Sequence, residues 1–361
     1  MTERIRAWSL ISVTGLLLSA GTSTALAQSN QGISFNVSLR GTGSATIHAE
    51  VYDNPAGEHG QLSILAVHGL AERGSMFQPL AAAVFSDNEL TNRVRRIIAI
   101  DLPAHGLSSV PTLPSPLQFG NLLIEDNASV VIQAIDILNA QGLGPQWIMG
   151  HSMGGLTVQL VQEMLLAQGS SLAQHGVSQA TLISAVPARG TAWTRFPSPD
   201  LTPFIQHDPV LGTILALPTA ACGNTGAFTT LSGTLVPNTP TPQMCVANDW
   251  MSIEPITTVA ELVGTFCQGN PDDPNSTGLC RPFVRQNAFS RANATKLMVL
   301  SFSQDVLTPF VDQAGLYTYL TGIASDQGPT LYRPTVAADA VHSTYIADPA
   351  EVVSAIRNGT P

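Results

Sequence analysis

The residues with the clearest chemical meaning lie between positions 145 and 155, where an apolar run ends in Gly150-His151-Ser152-Met153-Gly154. A serine with glycine two positions before and after it, between a strand and a helix, is typical of a tight turn that projects the serine hydroxyl above a sheet. Side chains at the two glycine positions would collide in such a turn. The helix that follows would aim backbone N–H groups at a reacting oxygen. The pattern predicts that Ser152 is a nucleophile, and the alternative is a glycine-rich turn with an incidental serine.

Three further segments with chemically active residues each stand at the end of an apolar, strand-like run. His68-Gly69-Leu70 follows an early apolar run, Asp101-Leu102-Pro103-Ala104-His105-Gly106-Leu107-Ser108 follows the next, and Ser301-Phe302-Ser303-Gln304-Asp305 closes a late one. With the serine turn, these segments resemble the α/β-hydrolase superfamily over essentially the whole mature chain. The resemblance implies an α/β fold with a mostly parallel central sheet flanked by helices. Ala104 departs from the glycine that is usual in the family at that turn.

Members of that superfamily order their catalytic triad as serine, acid and histidine. The resemblance therefore implies that Ser152, Asp305 and His342 form the triad. His342 would take the serine proton, and a buried Asp305 would hold the imidazole in one tautomer. The resemblance also implies an oxyanion hole made by the backbone N–H groups of Leu70 and Met153.

Asp305 is the favoured acid because it directly follows an apolar strand pattern. Three other aspartates compete with it: Asp326, Asp339 and Asp348. The alternative interpretation of His342 is a surface histidine before the last helix. Val341 stands where the family often has glycine before the catalytic histidine, a departure that concerns the conformation of the loop.

The other histidines of these motifs are interpreted as structural. His68 and His105 are expected to be hydrogen-bonding residues at strand ends. His151 flanks the nucleophile but is expected to point elsewhere, so it receives no catalytic role. The chain has no H-E-x-x-H motif and no His/Asp cluster at ligand spacing, so neither a metal nor another cofactor is expected.

The elements that would position these residues alternate along most of the chain, which predicts βαβ units and a mostly parallel sheet. A hairpin, Ile33–Arg40 with Ala45–Tyr52, is expected first. The strand patterns are Leu62–Val67, Arg96–Ile100, Trp147–Met149, Ala180–Val186, Lys296–Phe302 and Thr330–Tyr332. The helical patterns are Phe77–Phe85, Ile124–Leu138, Leu156–Leu166, Val311–Leu320 and Glu351–Ile356.

Residues 188–292, the cap segment, interrupt this alternation, so we expect an inserted cap between two parts of one core, 28–187 and 293–361. The cap segment holds all four cysteines. Disulfides Cys222–Cys245 and Cys267–Cys280 are favoured because each closes a local loop, although two other connectivities are open. A structural zinc site is the rival, and no C-x-x-C spacing supports it.

Apolar residues of the cap segment could line an acyl pocket or form the packing core of the cap, and the sequence favours neither. These residues are Phe204, Ile205, Leu211, Ile214, Leu215, Trp250, Met251 and Phe266.

The N-terminus has the pattern of a secretory signal peptide over residues 1–27. Arg4 and Arg6 precede an apolar stretch, Ala7–Ala20, and Ala25-Leu26-Ala27 gives a cleavage site before Gln28. A retained membrane anchor is the alternative, although the stretch is short for one. We therefore expect a secreted or periplasmic protein without an integral membrane span after signal removal.

Composition agrees with an enzyme that works outside the cytoplasm. Charged residues make up 11% of the chain, against about 25% in typical globular proteins. The formal net charge is −10, which argues against a nucleic-acid partner because such a partner needs a basic face.

The serine at the turn separates this chain from members of the superfamily that use a different nucleophile. Haloalkane dehalogenases and epoxide hydrolases of the same fold use aspartate there. The resemblance implies acyl transfer to water, with cleavage of a small-molecule or polymeric carboxylic ester through an acyl-enzyme. A lactonase, an amidase, or a non-catalytic binding protein of hydrolase fold are the alternatives.

Overall fold

The structure is a computed structural model of the chain. It describes residues 30–56, 60–70, 72–188, 205–216, 253–263, 283–302, 305, 308, 310–323, 331–332, 342 and 344–359. The expected signal peptide and all four cysteines lie outside these residues, so cleavage after Ala27 and both disulfides remain predictions.

The strands of the described residues form one large sheet and one small sheet. They are β1 (Asn30–Leu39), β2 (Gly43–Asp53), β3 (Leu62–Val67), β4 (Val94–Ile100), β5 (Trp147–His151), β6 (Gln179–Ile183), β7 (Ile205–Asp208), β8 (Gly212–Ala216), β9 (Ile253–Pro255), β10 (Lys296–Leu300) and β11 (Leu331–Tyr332). The large sheet has the order β1-β2-β4-β3-β5-β6-β10-β11. β1 and β2 form the expected antiparallel hairpin, and β2 is also antiparallel to β4. The remaining neighbours in the large sheet, from β4 and β3 through β5, β6 and β10 to β11, are parallel.

Helices cover both faces of the large sheet. They are α1 (Gln78–Ser86), α2 (Ile124–Ala140), α3 (Met153–Ala167), α4 (Ile256–Val263), α5 (Phe310–Thr321), α6 (Thr344–Ala347) and α7 (Pro349–Gly359). Residues of α2, α3 and α5 share one apolar cluster with the sheet, and residues of α1, α6 and α7 share another. Because successive side chains of a strand point to opposite faces, Leu65 and Val67 of β3 join the first cluster while Ile64 and Ala66 join the second. The predicted α/β fold with a mostly parallel sheet is confirmed.

The central strands end side by side. Val67 of β3 pairs with Gly150 of β5, and Gly150 pairs with Leu182 of β6. Ile183 in turn pairs with Leu300 of β10. The loops that leave these strands therefore meet at one edge of the sheet, which is where open α/β sheets place their sites.

Residues 205–216 and 253–263 of the cap segment pack against the segment Gln118–Asp126 of the core. β7, β8 and β9 form the small antiparallel sheet, and α4 follows directly. The N–H of Gly120 donates to the carbonyl of Leu211 at 2.7 Å, and the hydroxyl of Thr258 donates to the carbonyl of Leu122 at 2.8 Å. The cap elements thus share backbone and side-chain hydrogen bonds with the stretch that leads into α2.

Packing also separates the apolar cap residues. Ile214 and Leu215 are buried, the first with Phe119 and the second in the cluster of α1 and α7. Ile205 is 42% exposed, and Leu211 is half-buried. Phe204, Trp250, Met251 and Phe266 lie outside the described residues. Burial in these clusters favours the packing interpretation for Ile214 and Leu215.

Residues just before the predicted core boundary at 293 already belong to the main core. Val284, Ala288 and Phe289 are buried in the cluster of α2, α3 and α5. The side-chain amide of Gln162 donates to the carbonyl of Ala288 at 2.8 Å, and the hydroxyl of Tyr319 donates to that of Val284 at 2.8 Å. Within the described ranges, no helix is both long and apolar enough to cross a membrane.

Candidate active site

Ser152 occupies a strained turn between β5 and α3. Its φ of 51° and ψ of −115° place a non-glycine residue in a region that costs conformational energy. Two backbone hydrogen bonds hold it there: Ser152 N–H donates to Ile183 at 2.9 Å, and Val186 N–H donates to the Ser152 carbonyl at 3.1 Å. The residue is half-buried, so part of it stays accessible. The surrounding strands therefore impose the turn that the sequence pattern predicts.

The glycines of the motif have a steric reason. A Cβ atom on Gly150 would overlap the carbonyl oxygen of Gly154, and one on Gly154 would overlap the carbonyl oxygen of Val67. Neither neighbour can move away, because each is a backbone atom, one in the serine turn and the other in β3. The close approach of α3 to β3 and β5 depends on these two missing side chains.

His342 and Asp305 form a buried pair. His342 Nδ1 lies 2.9 Å from Asp305 Oδ2, and Asp305 is 4% exposed. Asp305 also accepts from the N–H of Thr308 at 2.9 Å and from its hydroxyl at 2.7 Å. Burial raises the pKa of Asp305, but the charge of His342 and these hydrogen bonds outweigh it and leave that pKa below its usual value. An ionised Asp305 requires the proton on Nδ1, which leaves the Nε2 lone pair of His342 free to accept a proton.

The competing aspartates differ from Asp305 in position. Asp348 is exposed between α6 and α7. Asp326 and Asp339 lie outside the described residues. The contact between Asp305 and His342 favours Asp305 as the acid.

The loop after β3 carries Leu70, the first expected oxyanion donor. His68 Nδ1 lies 2.8 Å from the carbonyl of Gly69, and His68 Nε2 accepts from the N–H of Leu102 at 3.0 Å. Burial and the charge of His105 lower the pKa of His68 to about 4, so its ring is neutral and supplies one donor and one acceptor. Met153, the second expected donor, is the first residue of α3, where N–H groups have no partner within the helix.

The turn after β4 is organised by Asp101. Its buried carboxylate accepts from the N–H of Gly74 at 2.7 Å and from that of Leu107 at 2.9 Å. Ala104 in this turn has a φ of 65°. Glycine adopts that left-handed conformation more readily than other residues, and this chain adopts it with alanine.

His105 connects the same turn to the cap segment. Its Nε2 lies 2.7 Å from Oε1 of Glu254 in β9, and both side chains are buried. Its Nδ1 lies 2.9 Å from the carbonyl of Pro103. Like His68, His105 makes structural hydrogen bonds at the end of a strand, as expected, and its partner in the cap could not be identified from the sequence.

Two buried residues, Glu72 and His151, contact each other beside the serine turn, and Glu72 was not predicted from the sequence. His151 Nε2 lies 2.9 Å from the backbone carbonyl of His342, and its Nδ1 lies 3.1 Å from Glu72 Oε2. The ring of His151 thus contacts Glu72 on one side and the backbone of the expected base, His342, on the other. Glu72 gives no local signal of burial, because a glutamate two residues after Leu70 is typical of an exposed loop. The one sequence feature that pointed to this contact was the position of His151 directly before Ser152 in the serine motif.

Within the part of the chain that the structure describes, no group of three or more His, Cys, Asp or Glu side chains could hold a metal ion.

Comparison with known proteins identifies the family. The model of the alpha/beta hydrolase family matches residues 64–355, most of the chain. The chain belongs to the alpha/beta hydrolase family. No curated protein sequence matched this hydrolase.

Solved structures support the same fold. A candidate lipase from Acinetobacter baumannii AYE is 14% identical, with a TM-score of 0.55 over 90% of this chain and 89% of that one. The naproxen esterase of Bacillus subtilis is 15% identical, with a TM-score of 0.52 over 91% and 92% of the two chains. A membrane phospholipase A, a bacterial virulence factor, is 14% identical, with a TM-score of 0.51 over 91% and 85%. At these identities the likeness shows the shared fold.

Proposed function

We propose that this hydrolase cleaves carboxylic esters through Ser152, His342 and Asp305, with an acyl-enzyme intermediate. The observation that carries the proposal is the buried contact of 2.9 Å between His342 Nδ1 and Asp305 Oδ2. The backbone carbonyl of His342 lies 2.9 Å from the ring of His151, the residue directly before Ser152. An oriented imidazole close to a strained serine is the combination that activates a hydroxyl group.

In the proposed reaction, Nε2 of His342 takes the proton of Ser152 while Oγ attacks the carbonyl carbon of the ester. The carbonyl electron pair moves to oxygen, where the backbone N–H groups of Leu70 and Met153 would stabilise the negative charge. Collapse of the intermediate breaks the ester C–O bond, and His342 gives its proton to the leaving alcohol. Water then attacks the acyl-enzyme with the same proton transfers, releases the acid and restores Ser152.

The test is hydrolysis by the mature protein of esters with graded chain length, with matched amides and lactones alongside. We expect esters to be cleaved fastest and Ser152→Ala to lose nearly all activity. Ser86→Ala, at an exposed serine of α1, is the matched control and should keep full activity. A fluorophosphonate probe should label Ser152, identified by peptide mass spectrometry. Full activity in Ser152→Ala, or labelling elsewhere in an active enzyme, would refute the proposal.

We also propose that the hydrolase works outside the cytoplasm as a secreted or periplasmic enzyme. The support is the signal-peptide pattern of residues 1–27, in which Arg4 and Arg6 precede Ala7–Ala20. Expression of the full chain, followed by intact mass measurement of the exported protein, should give an N-terminus at Gln28. Recovery of the unprocessed chain in the cytoplasmic fraction alone would contradict this localisation.

A further inference from the structure

We propose that Glu72 and His151 are positioning residues that hold His342 and the oxyanion loop, the loop after β3 that carries Gly69 and Leu70, in place, with His151 carrying two ring protons. This inference rests on the proposed function, because it assigns a task relative to Ser152, His342 and Leu70. The tests below separate its failure from failure of that function.

One carboxylate oxygen gathers three parts of the site. Oε2 of Glu72 lies 2.7 Å from the N–H of Gly69, 2.8 Å from the hydroxyl of Tyr345 and 3.1 Å from Nδ1 of His151. Gly69 precedes the expected oxyanion donor, Tyr345 lies in α6, and His151 ends β5. The loop, the helix and the strand are therefore joined at a single buried atom.

Gly69 makes this approach possible. A Cβ atom at that position would lie 2.9 Å from Oε2 of Glu72 and 3.0 Å from Nδ1 of His151. Real Cβ atoms rarely come so close to other atoms, so a side chain would force the carboxylate and the ring away from the loop. With glycine, the N–H of Gly69 turns inward to Glu72, and the next N–H along the loop belongs to Leu70.

A count of hydrogen-bond donors shows why His151 carries two protons. Its Nε2 faces a backbone carbonyl, and its Nδ1 faces a carboxylate. A carbonyl and an ionised carboxylate both only accept hydrogen bonds, so each ring nitrogen must donate. Burial lowers the pKa of His151, but the charge of Glu72 more than compensates and raises it. Burial raises the pKa of Glu72, yet His151, Gly69 and Tyr345 bring it down to about 2.

The titratable groups that face His151 come from each neighbouring element. They are Glu72 from the oxyanion loop, Tyr345 from α6, His342 from the loop before α6 and Asp305 from the loop after β10. The ring of His151 lies 4.9 Å from that of His342 and 4.4 Å from that of Tyr345. Glu72 balances the charge of His151, so the pair adds little net charge beside the base. Its effect is therefore positional: it fixes the carbonyl of His342 and, through Gly69, the loop of Leu70.

The first test needs no substrate. Nitrogen-15 NMR of the histidine rings should show His151 with both nitrogens protonated at about pH 8, where ordinary histidine is neutral. His151→Gln assigns the signal by removing it, and Glu72→Gln should convert it to a single neutral tautomer. A neutral ring at His151 in the wild-type protein would overturn the inference, whatever the enzyme hydrolyses.

The second test is kinetic. Because displacement of reacting groups by about 1 Å can cost about 10²-fold, we expect Glu72→Gln and His151→Gln each to lower kcat by about 30- to 100-fold with KM changed less than about 3-fold. The two residues act as one unit, so the double variant should be little worse than either single one. His175→Gln and Asp136→Asn, which break an exposed pair 2.7 Å apart, are matched controls and should leave kcat unchanged.

The experimental outcomes distinguish failure of the proposed ester hydrolysis from failure of the positioning role of Glu72 and His151. A wild-type protein that neither cleaves esters nor labels at Ser152 refutes the proposed function, and the NMR result then decides the state of His151. An active wild-type enzyme whose kcat is unchanged in Glu72→Gln refutes this inference alone. If Glu72→Gln fails to fold, His151→Gln supplies the kinetic test, because it removes the ring contact with Glu72. A fall in Tm with unchanged kcat would show a purely structural pair and would also refute the inference.

Discussion

A buried carboxyl group should make the stability of this hydrolase fall as the pH rises. Glu261 in α4 of the cap segment is 9% exposed, and its Oε2 accepts from the N–H of Ile124, the first residue of α2, at 2.8 Å. Glu125 hydrogen-bonds to Glu261 and places a second acidic group beside it. The nearby cation Arg40 pairs with Asp126 at 2.6 Å. Burial, followed by the charge of Glu125, raises the pKa of Glu261 from 4.5 to about 8.

The sign and size of the effect follow from proton binding. Between pH 4.5 and about 8, the folded protein keeps the Glu261 proton that the unfolded chain has lost. The free energy of unfolding therefore decreases with rising pH by at most about 1.4 kcal/mol per pH unit across that interval. Above the folded pKa both states are ionised, and this contribution no longer changes. Between about pH 6 and pH 7.5 the loss should reach about 2 kcal/mol at most.

Glu261→Gln tests this reasoning because its amide oxygen can still accept from Ile124 but carries no charge. The variant should be about as stable as the wild type near pH 5 and more stable near pH 8, by up to about 4 kcal/mol at about 1.4 kcal/mol per pH unit, with a correspondingly higher Tm. Thermal unfolding followed by circular dichroism over this pH range is the assay. Glu89→Gln changes an exposed side chain and is the control, expected to follow the wild-type profile. A Glu261→Gln variant with the wild-type pH slope, or with lower stability near pH 8, would show that the buried carboxyl does not control the profile.

Three further predictions concern the site, its turn and the cap. Asp305→Asn should lower kcat by about 10⁴-fold because an amide can stabilise the wrong tautomer of His342, and steady-state kinetics with near wild-type activity would contradict this. Gly154→Ala should destabilise the protein by about 1 to 3 kcal/mol because its Cβ would overlap a carbonyl oxygen of β3. Gly315→Ala, in open space on α5, is the control and should be neutral or stabilising. Urea unfolding compares the two variants, and equal effects on stability would refute the steric account. The four cysteines of Cys222–Cys280 should form two disulfides, each worth roughly 3 kcal/mol, and peptide mapping without reductant that found four free thiols would exclude them.

The serine turn could be predicted from the sequence because the serine and the glycines that it needs stand next to one another in residues 150–154. Only glycine fits at 150 and 154 when α3 approaches β3 this closely, so the requirement is written in the motif itself. The predicted helix begins at Leu156, but α3 begins at Met153. The difference arises because Gly154 and Gly155 have low helix propensity, and contact with the sheet overrides it.

The small sheet and α4 of the cap segment could not be predicted in the same way. β7 has no buried face of its own, and Leu215 of β8 is buried only because it packs into the core. Their hydrogen-bond partners, Gly120 and Leu122, lie more than ninety residues away. A strand that is stabilised by distant groups leaves little periodicity in its own residues.

The contacts of Glu72 were hidden for a related reason. Its partners are Gly69, close in the sequence, and His151 and Tyr345, far from it. Loop residues are usually solvated, so a glutamate there carries no local sign of burial. Only the fold brings the three partners to one oxygen atom.

The distances along the chain between these partners also set the order in which activity can develop. Glu72 and Tyr345 are 273 positions apart, and His151 and His342 are 191 apart, so both contacts wait for the C-terminal residues to dock. Contacts this distant form late, because a long stretch of chain must be ordered first. A chain interrupted after α5 would carry the serine motif without His342, the proposed base, and should not react with a fluorophosphonate. During synthesis, the nascent polypeptide would therefore be catalytically silent, and the producing cell's own esters would be spared until the chain is complete.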